Sequence, residues 1–294
     1  MTTKNRTKST QMKVLLSFVM IVFIFGGCAS TSNNPDDSAL LSNCRKSHEI
    51  LSGVSWVQTS VEYRFACYQV FSHALKSLEQ GLSDINWTAA IEQTGGYQSL
   101  PPAIIVDVDE TILDNSPFQA RLVSKGINFN QDMWRNWVQE TKAIPMPGAK
   151  EFLSSVRDLG VHVFYITNRE LEAPTVKNLQ LAIDAKITAN DVLCKKELDE
   201  WGSDKTSRRA EIVKTHRVIL LVGDDYNDFA FLGKVTPAER IEKAFAHQSR
   251  WGKQWFILSN PIYGNFEKAL YNYDYSLTDA QKLAAKYGYL RTDE

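Results

Sequence analysis

Four short apolar runs punctuate the chain: Ala103 to Val108, Val161 to Ile166, Val218 to Val222, and Trp255 to Leu258. Each has strand length and is apolar at nearly every position, as in strands buried on both faces. Between them, Pro147-Gly148 marks a helix start, and Glu172 to Ala185 and Thr206 to Lys214 have helical spacing. Strands alternating with helices predict an α/β fold, a parallel sheet flanked by helices. Ahead of the first run, Val57, Val61, Phe65, Tyr68, Phe71, Leu75 and Leu78 recur at three or four residues, which predicts one amphipathic helix over Ser55 to Gly81 with these positions in the core. Gly95-Gly96 and Pro101-Pro102 separate that helix from the sheet. In open sheets of this kind, ligands bind beyond the carboxyl ends of the strands. Polar groups collect there: Asp107 ends the first run, Thr167 the second, and Asp224 follows the third after Gly223.

The amino terminus follows another pattern. Lys4, Arg6, Lys8 and Lys13 precede an apolar run from Val14 to Phe25, too short for a stable membrane span but suited to an export signal. The run ends in Phe25-Gly26-Gly27-Cys28, which resembles a bacterial lipobox, although Phe25 departs from the usual aliphatic residue. That resemblance implies a signal peptide over 1–27, a lipid on Cys28 and a flexible tether over 28–47. Ser30, where an acidic residue would redirect sorting, implies an anchor in the outer membrane of a Gram-negative cell envelope. An ordinary secretory signal with an incidental cysteine is the alternative.

With 33 Lys and Arg against 34 Asp and Glu, spread along 294 residues, no surface for a nucleic-acid polymer is expected. If Cys28 carries lipid, Cys44, Cys67 and Cys194 remain. Cys44 and Cys67 could pair, or these are buried thiols; no Cys-x-x-Cys pattern suggests a metal site.

The concentrated chemistry is in Ile104-Ile105-Val106-Asp107-Val108-Asp109-Glu110-Thr111, three carboxylates in four residues after a buried strand. Extended backbone puts Asp107 and Asp109 on one side, where they repel unless a cation or a shared proton intervenes. Asp224 and Asp228 add oxygen ligands, a set suited to a hard cation such as Mg²⁺. No His-Glu-x-x-His, Gly-x-Ser-x-Gly, Arg-His-Gly or Cys-x5-Arg element is present, so zinc, serine, histidine and cysteine mechanisms lose support.

Asp107-Val108-Asp109-Glu110-Thr111, Thr167-Asn168-Arg169, Lys205 before Thr206, and Gly223-Asp224 with Asp228 resemble, in order, the four motifs of the haloacid dehalogenase (HAD) superfamily. The wording of the first two, the lipobox and Asn260-Pro261-Ile262-Tyr263-Gly264 are similar to class C acid phosphatases, a family of lipoprotein 5′-nucleotidases. The resemblance implies a helical segment over 48–102 and a phosphatase core over 103–294 with a cap-like insertion at about 112–146. It implies a Mg²⁺-dependent phosphomonoesterase working through an aspartyl-phosphate, with Asp107 as nucleophile and Asp109 as acid and then base. Asp107, the Asp109 carbonyl, Asp224 and Asp228 would serve the metal. Thr167 and Lys205 would hold the phosphoryl oxygens, and Thr111 would fix the loop. Singly, Thr167 also reads as a helix cap, Lys205 as a solvated lysine and Asp225 as an exposed turn residue.

The resemblance favours a 5′-nucleotide or nicotinamide mononucleotide whose ring lies against Phe129, Trp134 and Tyr263, with Asn168 nearby. Trp137, three residues from Trp134 on an expected helix Gln131 to Thr141, suits core packing equally well, and Phe266 departs from the tryptophan of relatives. A small phosphomonoester, a membrane reached through the anchor and a second copy in a homodimer are the implied partners. A broad sugar or aryl phosphatase, and a surface-binding lipoprotein without catalysis, are the rival readings.

Overall fold

The computed structural model describes residues 48–292. The expected export signal, Cys28, Cys44 and the whole of the expected tether lie outside them. No described helix is long and apolar enough to cross a membrane.

Two helices, α1 (Leu51–Thr59) and α2 (Val61–Ser83), stand where one was expected. Ser60 divides them because its backbone is extended and its hydroxyl accepts from the Tyr63 amide, capping the start of α2. The buried stripe of α2 is Tyr63, Cys67, Phe71, Ala74 and Leu78. Of the positions expected in the core, Val61, Phe65 and Tyr68 are exposed instead, because the true face is rotated toward Tyr63 and Cys67. The far end of α2 is held by Arg217, whose buried Nη1 donates to the carbonyls of Gly81, Asp84 and Trp87, satisfying acceptors that a helix end leaves open.

The expected parallel sheet is present. Its strands are β1 (Pro102–Val106), β4 (His162–Thr167), β5 (Val192–Cys194), β6 (Arg217–Gly223) and β7 (Trp255–Ile257), in the order β5-β4-β1-β6-β7. β1 is central, paired with β4 and β6, and alternate residues feed two cores. Ile104 and Val106 enter the layer holding Phe71, Leu78, Phe152 and Leu179, whereas Ala103 and Ile105 join Ile212, Phe229 and Trp255. All seven residues of β6 are buried, which is why that run lacks polar alternation.

Between β1 and β4 the chain forms β2 (Leu113–Asp114), α3 (Ser116–Lys125), α4 (Gln131–Glu140), β3 (Ile144–Pro145) and α5 (Ala149–Asp158). β2 and β3 pair antiparallel, so the segment with α3 and α4 leaves the sheet and returns through a two-stranded neck. After β4 come α6 (Glu172–Ala182), α7 (Thr206–Ile212), α8 (Pro237–Phe245), α9 (Asn265–Leu270) and α10 (Asp279–Tyr287).

Candidate active site

The carboxyl ends of β1, β4 and β6 open on a cavity of about 800 Å³. Asp107 follows β1 and is fixed by its amide, which donates to the Val222 carbonyl of β6 at 2.9 Å. Lys205, one residue before α7, is buried with it. Its ammonium pairs with Asp107 Oδ1 and, at 2.6 Å, with Asp228 Oδ1. Lys205 is therefore not a solvated lysine.

After β6, the Asp228 carboxylate folds back over the loop, where Oδ2 accepts the amides of Asp224 at 3.1 Å and Asp225 at 2.9 Å. Only glycine permits this at position 223, since a Cβ there would lie 2.4 Å from Asp228 Oδ2. Asp224 is oriented by Asn260, whose Nδ2 donates to Oδ2 at 2.8 Å. Asp225 is not an exposed turn residue. It accepts from the Asn227 amide at 2.9 Å and from both nitrogens of Asn265, at 2.7 and 3.0 Å, so it joins the loop to α9. Asn227 and Asn265 donors with the Arg240 charge, acting against burial, hold its carboxyl below the ordinary aspartate range.

Oxygens of Asp107, Asp224 and Asp228 lie within 4.8 Å of one another. Burial, against the opposing charge of Lys205 and helped by the nearby Asp228 and Asp109 carboxylates, pushes Asp107 up to about 7. Burial and the charges of Asp228 and Asp107 raise Asp224 strongly. Fully ionised, the three carboxylates would carry two more negative charges than the one ammonium offsets, so a bound cation would favour their charged forms. That oxygen donor set and charge suit a hard divalent cation. The Asp109 side chain is outside this group.

Asp109 instead faces β4. Its Oδ1 accepts Arg169 Nε at 2.8 Å and Asn115 Nδ2 at 2.9 Å, while Thr167 Oγ1 stands 3.4 Å from Oδ2. Thr167 is fully buried and outside the cavity lining, and its hydroxyl also accepts the Arg169 amide at 3.0 Å. It caps no helix. Asn168 lines the cavity, but its amide is engaged at both ends, donating to Ser203 O at 3.2 Å and accepting Arg208 Nη2 at 2.8 Å. The Thr111 hydroxyl is buried without a partner, so packing rather than hydrogen bonding holds it in the loop.

Phe129, Trp134 and Tyr263 all line the cavity. Phe129 is exposed, and Trp134 packs edge-on against buried Phe118 at 5.2 Å between centroids. Trp137 is in the core, where Nε1 donates to Asn115 Oδ1 at 2.8 Å. The Tyr263 hydroxyl donates to Glu110, a buried residue at φ 57° whose other oxygen accepts the Asn115 amide at 2.9 Å. Burial and the charges of Asp109 and Asp114 raise Glu110 well above the ordinary range. Glu110, Asn115 and Arg169 have site roles that sequence reasoning did not assign. The only available signal was their position inside or beside the motifs.

A parallel sheet that presents Asp107, Asp109, Asp224 and Asp228 beyond the carboxyl ends of its strands, with Lys205 brought beside them from the start of α7, defines a phosphatase of the HAD type. The chain belongs to the HAD superfamily, subfamily IIIB (acid phosphatase), whose family model matches residues 31–266. It is similar to the class C acid phosphatase from Bacillus anthracis, with 29% identity over 84% of this chain and 98% of that one and a TM-score of 0.74. The same enzyme solved with tungstate bound matches at 28% identity, with the same coverage and TM-score. The protein is thus an acid phosphatase. The surface-binding reading without catalysis is set aside, and phosphatases of this superfamily use a divalent metal, for which the carboxylate cluster is present.

Proposed function

We propose that this acid phosphatase is a Mg²⁺-dependent phosphomonoesterase that hydrolyses 5′-nucleotides or nicotinamide mononucleotide through an aspartyl-phosphate on Asp107. The observation that carries this reading is one cavity in which Asp107, paired with Lys205 and flanked by Asp224 and Asp228, is walled by Trp134, Phe129 and Tyr263. Asp107, Asp224, Asp228 and the Asp109 carbonyl would hold the cation, which supplies charge to offset repulsion between the nucleophile and an anionic phosphate.

Asp107 attacks phosphorus, a carboxylate-phosphorus bond forms, and the bond from phosphorus to the ester oxygen breaks. Asp109 gives that oxygen its proton. Water then attacks the phosphorus of the aspartyl-phosphate while Asp109 takes a proton from it. Inorganic phosphate leaves and the Asp107 carboxylate is restored. Lys205 holds the charge spreading over the phosphoryl oxygens. Thr167, buried outside the lining, supports the Asp109 carboxylate rather than touching the phosphoryl group, and Asn168 shapes the rim.

If Tyr263 stacks on the substrate ring, Tyr263→Ala removes roughly 1 to 3 kcal/mol of stacking, by analogy with bases on aromatic side chains. The variant should lose about ten- to a hundredfold in kcat/KM on adenosine 5′-monophosphate and stay near wild type on a short alkyl phosphate. Parallel losses on both esters would favour the broad sugar or aryl phosphatase, with Tyr263 serving to brace Glu110. Running both esters in a Mg²⁺ series tests the metal on the same preparation.

A further inference from the structure

The side chain of Asp109 is held on one oxygen only, and every donor that holds it is buried. Oδ1 receives Arg169 Nε and Asn115 Nδ2, at 2.8 and 2.9 Å. Oδ2 has the single long contact to Thr167, at 3.4 Å. Arg169 and Asn115 are each about 1% exposed or less, whereas the Asp109 side chain keeps 17% of its surface. Of its two oxygens, Oδ1 is saturated.

The amide of Asn115 could satisfy Asp109 only if its orientation were fixed, and it is. Its Oδ1 accepts both Trp137 Nε1 at 2.8 Å and Arg169 Nη2 at 3.1 Å. Indole and guanidinium nitrogens are donors and never acceptors. Rotating the amide would set Nδ2 against two donors and Oδ1 against a carboxylate, so the orientation follows from chemistry alone. Trp137 belongs to α4, in the segment that returns through the β2–β3 neck. The neck segment therefore reaches the Asp109 carboxylate through two hydrogen bonds.

From this geometry we infer that Arg169, Asn115 and Trp137 are positioning residues that reserve Asp109 Oδ2 as the atom that passes the proton to the departing ester oxygen and later receives one from water. The inference rests on the reading of Asp109 as the acid. The proton moves from Oδ2 to the ester oxygen as its bond to phosphorus breaks, and the water proton returns to Oδ2 in the second step. Oδ1 stays hydrogen-bonded throughout. Loss of the clamp lets the carboxylate rotate, so Oδ2 is no longer presented. The loss should be felt in proportion to how much the leaving group needs a proton. An alkoxide needs it fully and a nitrophenolate hardly at all.

The test compares wild type, Asp109→Asn, Arg169→Gln, Asn115→Ser and Trp137→Phe on a series running from an alkyl phosphate to nitrophenyl phosphate, with melting temperatures recorded. Trp137→Phe keeps an aromatic ring in the core while removing the indole N–H and part of the ring volume, so, read together with its melting temperature, it reports on the clamp even if Arg169→Gln fails to fold. The inference expects each positioning variant to lose about tenfold or more in kcat/KM on the alkyl ester, part of the 10²- to 10⁴-fold that acid catalysis contributes, and to stay within about twofold on the nitrophenyl ester. Equal losses on both esters for Asp109→Asn would overturn the acid assignment and the clamp with it. A leaving-group-dependent loss for Asp109→Asn, with uniform losses in Trp137→Phe and the other positioning variants, would overturn the clamp alone.

Discussion

Asp107→Asn is expected to lower turnover on any phosphomonoester by about four to six orders of magnitude, the scale seen when an enzyme loses its nucleophile. The amide cannot form the acyl-phosphate, yet it fills the same volume and can still accept from Lys205. The fold should survive for a reason specific to this cluster. Asp107 is one of three carboxylates crowded within 4.8 Å and already pushed up by burial, so a neutral side chain relieves repulsion in the metal-free protein. Steady-state rates and melting temperatures of the purified variant check both halves. A variant retaining more than about one hundredth of wild-type turnover would remove Asp107 from the nucleophile's role.

Lys205→Met should have the next largest effect. Lys205 is 4% exposed, and its ammonium is the cation between Asp107 and Asp228. Methionine keeps the apolar stem, one atom shorter, but leaves the Asp107 and Asp228 carboxylates facing each other without a cation. Breaking a buried ion pair in this way costs about 3 to 5 kcal/mol, which thermal melts of metal-free protein would show as a large drop. Added Mg²⁺ should recover part of it, because a divalent ion bound by the same carboxylates restores balance and stabilises by mass action. Activity should stay depressed by about 10² to 10³ even with Mg²⁺, as when a donor to a developing anion is removed. A melting temperature unchanged without metal, or full activity with it, would contradict the role drawn for Lys205.

The strands were legible because a parallel sheet buries both faces, leaving unbroken apolar runs such as Val218 to Val222 that tolerate few other readings. β5 escaped notice because three residues, Val192–Cys194, are too few to show a period. The break at Ser60 was hidden inside a continuous helical pattern; one serine turned from helix interior to cap resets the phase of every apolar position after it. Asp107, Asp109, Asp224 and Asp228 were readable because buried carboxylates demand a counter-charge and stand at strand ends. Their partners were less readable. Arg169 meets Asp109 from 60 residues away, and Tyr263 meets Glu110 from 153. Such pairings are set by tertiary packing and leave no periodic trace. The internal hydrogen bonds of Asn168 and Thr167 are of the same kind, since nothing in Thr-Asn-Arg tells which side chains turn toward the cavity.

The central claim is a covalent phosphoryl-enzyme at Asp107, and chemical trapping of that species tests it most directly. Wild-type enzyme mixed with excess adenosine 5′-monophosphate and Mg²⁺ would be quenched in acid, reduced with borohydride and analysed by peptide mass spectrometry. Reduction of an aspartyl-phosphate gives homoserine, and the account predicts homoserine at position 107, dependent on substrate and absent from Asp107→Asn. Unmodified Asp107 in enzyme quenched during steady turnover, or homoserine at Asp109, Asp224 or Asp228 in its place, would contradict it.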